Sequence, residues 1–412
     1  MCFSFILTYF LPVLKKGNRK PSAGVFPVVS KYELRIRGVE VLPVAGKVRF
    51  ILGRAGTGKT YACLEEIKKT LASEGEEGPA LILLVPEQAA FQMEHELYTG
   101  MPRAATARAQ VLSFRRMARR VLAQTGGAAR PWLGELGKRM VLRSLIQKHR
   151  DDLVLFGQSA STPGFTDSLA HTLAELKLYN ISPQMLTQRA QELARSGKET
   201  PLTGKLHDLA LLYTNLEEYL APRYTDPEGY LALLAAKLGQ APLVQGARIW
   251  VDGFAGFTPQ EFQVLSSLMK TAAEINITLC LAAEELSRPR AETDLFNRTR
   301  ETYEQLLALA RACRAQLNAP LVLDDPPRFR GSPELAHLER YFFDYPTRTF
   351  AQPARDIKEV AAANRRAEVE AAAREIVYLA RERGWRWRGM VMVVRDLELY
   401  HDLVATVFTD YG

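Results

Sequence analysis

Short, continuous apolar runs alternate with stretches of helical period from residue 46 onward. Val48–Leu52 (VRFIL), Ala80–Val85 (ALILLV) and Gln110–Ser113 have the length and content of buried strands. Between the first two, Lys59–Ala72 places Leu64, Ile67 and Leu71 on one face, the spacing of a helix packed on a sheet. The polar breaker Ser73–Pro79 separates that helix from the second strand, and Pro86 ends the strand. A second helix is expected over Ala89–Tyr98. A third follows the third strand: Phe114, Met117, Ala118, Val121 and Leu122 share one face, and Arg115, Arg116, Arg119 and Arg120 share the other. Strands that alternate with helices predict a parallel α/β sheet.

From about Arg130 to Gln245 strand-like runs give way to helical periodicity, for example Leu206, Leu209, Ala210, Tyr213, Leu216 and Leu220. This predicts an all-helical insertion within the α/β domain. Strand character returns at Arg248–Asp252 (RIWVD) and Ile275–Leu281 (INITLCL). Residues 318–355, rich in Pro, Asp and Arg, read as a linker. Beyond it Asp356–Ala363 and Met390–Arg395 read as strands and Ala367–Arg383 as a helix, the start of a second α/β domain that looks truncated at Gly412. The expected organisation is a P-loop α/β domain over 46–129 and 246–317, a helical insertion over 130–245, the linker, and the second α/β domain over 356–412.

The turn after the first strand carries the candidate chemistry. Gly53-Arg54-Ala55-Gly56-Thr57-Gly58-Lys59-Thr60 matches GxxxxGK[ST], follows a buried strand and opens a helix. Glycines let the backbone N–H groups curl toward phosphates, and the helix N-terminus adds partial positive charge. Lys59 can reach the β- and γ-phosphates of ATP, and Thr60 can offer its hydroxyl to Mg²⁺. Asp252, at the end of a buried strand, is the candidate second ligand of that Mg²⁺; the plainer reading is a carboxylate that caps a turn. Thr258-Pro259-Gln260-Glu261 reads as a capping box with Pro at the first helical position.

The residue after Asp252 is Gly253, where hydrolysing motors carry a glutamate that positions water. A glycine offers no carboxylate for that work. Glu261 is a substitute only if it leaves its expected cap. No residue is therefore assigned a catalytic role, and the site is expected to bind ATP and turn it over slowly or not at all.

Composition narrows the picture only a little. Lys and Arg outnumber Asp and Glu by 54 to 46, a formal net charge of +8 that permits a polyanionic partner without demanding one. Residues 101–150 are strongly basic, with Arg103, Arg108, Arg130, Lys138, Arg139, Arg143, Lys148 and Arg150 beside the four helical arginines. The four-arginine face can grip nucleic-acid phosphates or pair with acids elsewhere, and both readings stay open. Tyr341, Phe342, Phe343 and Tyr345 can stack on single-stranded bases or, the preferred reading, pin the linker to a domain surface. The four cysteines form no CxxC pair, which argues against a local zinc or iron–sulfur site and for the cytoplasm. The apolar run Cys2–Leu14 is too short to cross a bilayer, which takes about 20 residues, and its charges follow rather than precede it. No membrane partner is expected, and residues 1–45 read as an upstream extension.

Five segments together resemble one family: FILGRAGTGKT at 50–60, LLVPEQAAFQMEHEL at 83–97, VLSFRRMARRVL at 111–122, IWVDGFAGFTPQEFQVL at 249–265 and MVMVVRDLELY at 390–400. In this order they are similar to the N-terminal part of the AddB (RexB) family. The resemblance implies a superfamily-1-like helicase core with a helical insertion and a degenerate motor. It also implies an AddA-type helicase–nuclease partner and work on DNA, single-stranded and at duplex ends, in recombinational repair. The family's iron–sulfur cluster and nuclease domain have no counterpart among these cysteines and are not expected here. By the same resemblance Glu87 and Gln88 lie where related helicases contact DNA, and Arg395 is placed to approach the γ-phosphate, although a surface arginine at a strand end fits equally. Two alternatives compete: a P-loop motor active alone, against which Gly253 speaks, and a small-molecule kinase with a helical lid.

Overall fold

A computed structural model describes residues 46–412 apart from 76, 100–107, 127–130, 132, 161, 163, 196–200, 225–228 and 290. The expected extension 1–45, and Arg103 and Arg130 of the basic stretch, lie outside the described residues. The chain divides into two compact units. The larger holds residues 46–54 and Gly58–Asp324; the smaller holds Asp325–Gly412 with the loop residues Ala55–Thr57.

In the larger unit the elements follow as β1 (Lys47–Gly53), α1 (Lys59–Glu74), β2 (Leu81–Leu84), α2 (Ala90–Tyr98), β3 (Ala109–Leu112) and α3 (Phe114–Thr125). Then come α4 (Glu135–Lys148), α5 (Phe156–Ser159), α6 (Phe165–Leu178), α7 (Pro183–Arg195), α8 (Pro201–Leu220) and α9 (Tyr230–Lys237). The unit closes with β4 (Arg248–Val251), α10 (Pro259–Thr271), β5 (Glu274–Cys280), α11 (Asn297–Ala312), β6 (Gln316–Leu317) and β7 (Leu321–Leu323). The strands form one sheet in the order β3-β2-β4-β5-β1-β6, with β7 also on β1, and the strand pairings are parallel. The molecule is thus an α/β protein built on a parallel sheet.

A parallel sheet needs cover on both faces, which is why its strands read as unbroken apolar runs. Val48, Phe50 and Leu52 of β1 and Ile82 and Leu84 of β2 pack under α3, α9, α10 and α11. Ile51, Leu81 and Leu83 pack under α1 and α2 with Trp250. The connection out of β1 therefore runs over one face, and α11, the connection out of β5, covers the other. These two strands are neighbours, and the crevice outside their carboxyl ends is the place where ligands bind in open α/β sheets.

Residues 130–245 hold α4–α9 and, among the described residues, no strand. Their packing is divided. Leu142, Leu145, Ile146, Leu169, Leu173, Leu186, Leu212 and Leu216 form a separate helical core. Leu231, Leu234 and Leu238 instead join the core under the sheet. The buried Asp208 of α8 starts α5 by accepting the N–H groups of Val154 (2.8 Å), Leu155 (2.7 Å) and Phe156 (2.8 Å).

Part of the stretch read as a linker is ordered structure: β7 joins the sheet, a 3-10 turn spans Pro327–Phe329, and α12 spans Pro333–Tyr341. The prolines that read as breakers stand at the first positions of these helical turns, where the missing N–H costs nothing. In the smaller unit α13 (Arg365–Arg381) packs on α14 (Leu397–Tyr411) through Val369, Ala373 and Val407. The strands expected at Asp356–Ala363 and Met390–Arg395 are not formed. A strand exists only where a neighbouring backbone accepts its hydrogen bonds, and no described segment pairs with either. The linker aromatics divide as well. Tyr341 stacks on His337 and carries Arg348 over its ring, whereas Phe342, Phe343 and Tyr345 are exposed and so do not pin the segment. Among the described residues no helix is long and apolar enough to cross a membrane.

Candidate functional site

The loop after β1 turns on two glycines with positive φ, Gly56 at 77° and Gly58 at 86°. Side chains avoid this region, so glycine at these positions is a backbone requirement. Gly58 caps α1 without a side chain, and the first turn of α1 contains no acid. The positive end of the helix therefore faces the loop unneutralised, which suits an anion. Lys59 folds back so that Nζ donates to the carbonyls of Gly53 (2.8 Å) and Arg54 (2.7 Å). The Arg54 guanidinium lies 5.0 Å from the centre of the Phe296 ring, and Thr57 is buried.

Asp252 sits just past β4, one strand removed from β1 with β5 between them. Its backbone N–H is fixed by the carbonyl of Leu84 (2.9 Å). Its carboxylate is 4% exposed and accepts two hydroxyls: Thr60 Oγ1 on Oδ2 at 2.7 Å and Thr278 Oγ1 on Oδ1 at 2.6 Å. Thr60, 192 residues away in sequence, is thereby brought to Asp252 as the motif requires. A hydroxyl and a carboxylate in contact are hard oxygen donors that fit Mg²⁺, with phosphate oxygens completing its shell. Among the described residues no group of three or more His, Cys, Asp or Glu is arranged to hold a metal ion. Thr278 was not singled out from sequence. Its signal was the polar position alternating with Ile275, Ile277 and Leu279 in a buried strand.

Around this pair lies a polar layer on the α1 face of the sheet. Glu66 accepts from Arg49 Nη2 (2.5 Å) and from Trp250 Nε1 (2.9 Å), and Arg49 Nε donates to Asn276 (2.6 Å). Burial, reinforced by the charges of Asp252 and Glu66, pushes the Cys63 thiol well above its ordinary range, so it stays protonated and is no nucleophile.

The loop Gly253–Phe257 is built otherwise. Gly253 has φ 82°, a conformation that disfavours the glutamate of hydrolysing motors. Phe254 stacks on Phe114 at the start of α3 (5.5 Å between centres) and on Phe257 (5.1 Å), which meets Phe262 (5.7 Å). Glu261 is engaged in its capping box, accepting Thr258 N–H at 2.7 Å while Thr258 Oγ1 accepts Glu261 N–H at 3.3 Å. Gly253 has no carboxylate, and Glu261 holds its Oε2 in the cap.

The basic helix is less uniform than its pattern suggested. Arg115, Arg119 and Arg120 are exposed, and Arg120 bonds Gln110 at 2.6 Å. Arg116 instead pairs with Glu94 (2.6 Å) and Glu87 (3.7 Å). Glu87 also accepts the hydroxyl of Ser113, whose Oγ caps α3 by taking the N–H of Arg116 at 3.2 Å. Glu87 and Arg116, read separately as DNA contacts, thus form one ion-paired corner between the 3-10 turn Glu87–Ala89 and α3, with Gln88 exposed beside it. Arg395 is exposed in the smaller unit, in a stretch without strand structure.

Residues 50–339 match the family model "ADDB, N-terminal". The chain belongs to this family. Its relatives are named as the B-type subunit of an ATP-dependent helicase/deoxyribonuclease. Those of Desulforudis audaxviator (366 residues aligned) and Moorella thermoacetica (367 residues) are each 53% identical over 89% of this chain. That of Pelotomaculum thermopropionicum is 49% identical over 89% of it. The alignments cover 31%, 32% and 32% of these relatives, so the chain spans about a third of the length of the family members it matches. The family match takes in the phosphate loop, Asp252 and the whole of the helical insertion.

Proposed function

We propose that this chain is the nucleotide-binding, DNA-handling part of the B-type subunit of a helicase–deoxyribonuclease, and that it binds ATP with Mg²⁺ without efficient hydrolysis. The observation that carries the reading is the contact of Thr60 with Asp252 beneath a glycine-turned loop, at the open end of a helix. Gly53–Thr60 would wrap the phosphates with backbone N–H groups, and Lys59 would exchange its two carbonyls for phosphate oxygens. Thr60 and Asp252 would hold the metal, with Thr278 fixing the carboxylate. Bound Mg²⁺ would neutralise phosphate charge, the one contribution asked of it. A strand order with one strand between the phosphate loop and Asp252 supports a helicase-type core.

The degenerate-motor reading rests on Gly253 and on the engaged Glu261. The alternative of a motor active alone would need a carboxylate that this loop does not present. DNA contact is assigned to Arg115, Arg119 and Arg120, with Glu87 and Gln88 at the neighbouring corner; Arg116 acts there as an anchor rather than a phosphate contact. The relatives are named as one subunit of a complex, which supports a second, partner subunit, taken to be an AddA-type helicase–nuclease. Processing of broken DNA ends in the cytoplasm is the setting that follows.

The reading is tested by calorimetry with Mg-ATP and by phosphate release with single-stranded DNA. Saturable binding without DNA-stimulated turnover is expected. Absence of binding by folded protein removes the nucleotide site, and turnover lost on Lys59→Ala removes the degenerate-motor reading.

A further inference from the structure

The helical insertion holds a groove of about 570 Å³ that plays no part in the site above. One wall is the outer face of α4, where Leu136, Arg139, Met140 and Arg143 recur at helical spacing; Arg150 follows just beyond the helix end. The other wall is Thr162 and the first turn of α6, whose N-cap is Gly164 and which therefore has no side-chain cap. Three guanidinium groups thus line one groove beside an uncapped helix start. The acid that lines it, Asp167, pairs with Arg139 at 3.1 Å. The side chains of Arg143 and Arg150 form no ion pair among the described residues. Leu136 and Met140 line the same groove beside the arginines and are 70% and 65% exposed.

We propose that this groove is a second nucleic-acid site, one that holds a single strand by its phosphates at Arg143 and Arg150 with bases against Leu136 and Met140. Arginine forks match phosphate oxygens two at a time. Apolar side chains beside cations give bases a face without reading their edges, so the binding is sequence-tolerant and salt-sensitive. The proposal rests on the DNA-handling reading, which decides for a nucleic acid over an acidic peptide.

Its test is fluorescence anisotropy of labelled oligothymidylate over a range of salt. The variants are Arg143→Ala with Arg150→Ala, and, for comparison, Arg115→Ala with Arg119→Ala. A photo-crosslinking residue in place of Met140 reports on the groove directly. Arg143 and Arg150 are exposed, so the melting temperature and Mg-ATP binding are expected to stay at wild-type values. The groove variant should bind about ten-fold more weakly, with a salt slope reduced by about 1.4, or 0.7 for each phosphate contact. The probe at Met140 should crosslink to the oligonucleotide. An unchanged slope in the groove variant, with loss in the α3 variant, overturns the groove and leaves the DNA-handling reading standing. No binding by wild type overturns both. Crosslinking at Met140 to polyglutamate in preference to the oligonucleotide gives the groove to an acidic peptide and overturns the proposal.

Discussion

Two loops leave the carboxyl ends of strands in the same crevice, one after β1 and one after β4, and both turn on glycines with positive φ. They use that conformation to opposite ends. After β1, Gly56 and Gly58 turn the backbone, Lys59 donates to the carbonyl of Gly53 and Thr60 to Asp252, and the proposed function gives these groups to a nucleotide and its metal. After β4, the same twist at Gly253 leaves the chain without a carboxylate, and the following residues pack as an aromatic ladder toward α3. On the proposed function, a site would keep the geometry that binds a triphosphate and lack the carboxylate that orients the attacking water because of one backbone position. The loss is then fixed by conformation as well as by side chain.

The sharpest way to break this comparison is at Lys59. Lys59→Ala should weaken Mg-ATP binding about 10- to 100-fold, the range for losing charge-assisted hydrogen bonds; calorimetry at wild-type affinity would end the binding half of the argument. Next is Asp252→Asn, expected to lower Mg-ATP affinity about ten-fold while ATP in EDTA binds as it does to wild type. Equal losses with and without metal would deny Asp252 its role as a ligand. Third, Gly253→Glu should cost about 1 kcal/mol in a denaturant titration because of the positive φ, and should leave DNA-stimulated phosphate release absent. Turnover gained by this one change would show that conformation is no barrier.

The smallest effect is a control outside both loops. Backbone N–H groups of Asp356 and Arg355 hold the Glu334 carboxyl below the ordinary carboxylate range. A folded pKa below the unfolded one adds stability that is complete above the unfolded value and is lost as pH falls through the folded value. Glu334→Gln should therefore destabilise the smaller unit slightly at neutral pH, with the difference closing in acid, as melting curves across pH would show. Mg-ATP affinity should not follow it.

What was legible in the sequence is what local chemistry dictates. β1, β2 and β4 are apolar runs because both faces of a parallel sheet are covered, and the phosphate loop is a fixed spacing of glycines with Lys59. The capping box at Thr258 was readable for the same reason. What was not legible depends on partners distant in the chain. Nothing near Thr278 announces that it meets Asp252, and the arginine face of α3 gives no sign that Arg116 is tied to Glu94. Val391 and Val393 alternate like a strand, yet alternation describes a side-chain pattern and not a pairing backbone, and both are exposed.

The divided packing of residues 130–245 bears on how this fold can be taken apart. Leu231, Leu234 and Leu238 lie under the sheet although they follow the helical stretch without a break in composition. An excision meant to remove the helical module must rejoin the chain near Gly229. A cut made at Gln245, where the sequence pattern changes, would strip α9 from α3 and α10 and open the sheet's cover to water.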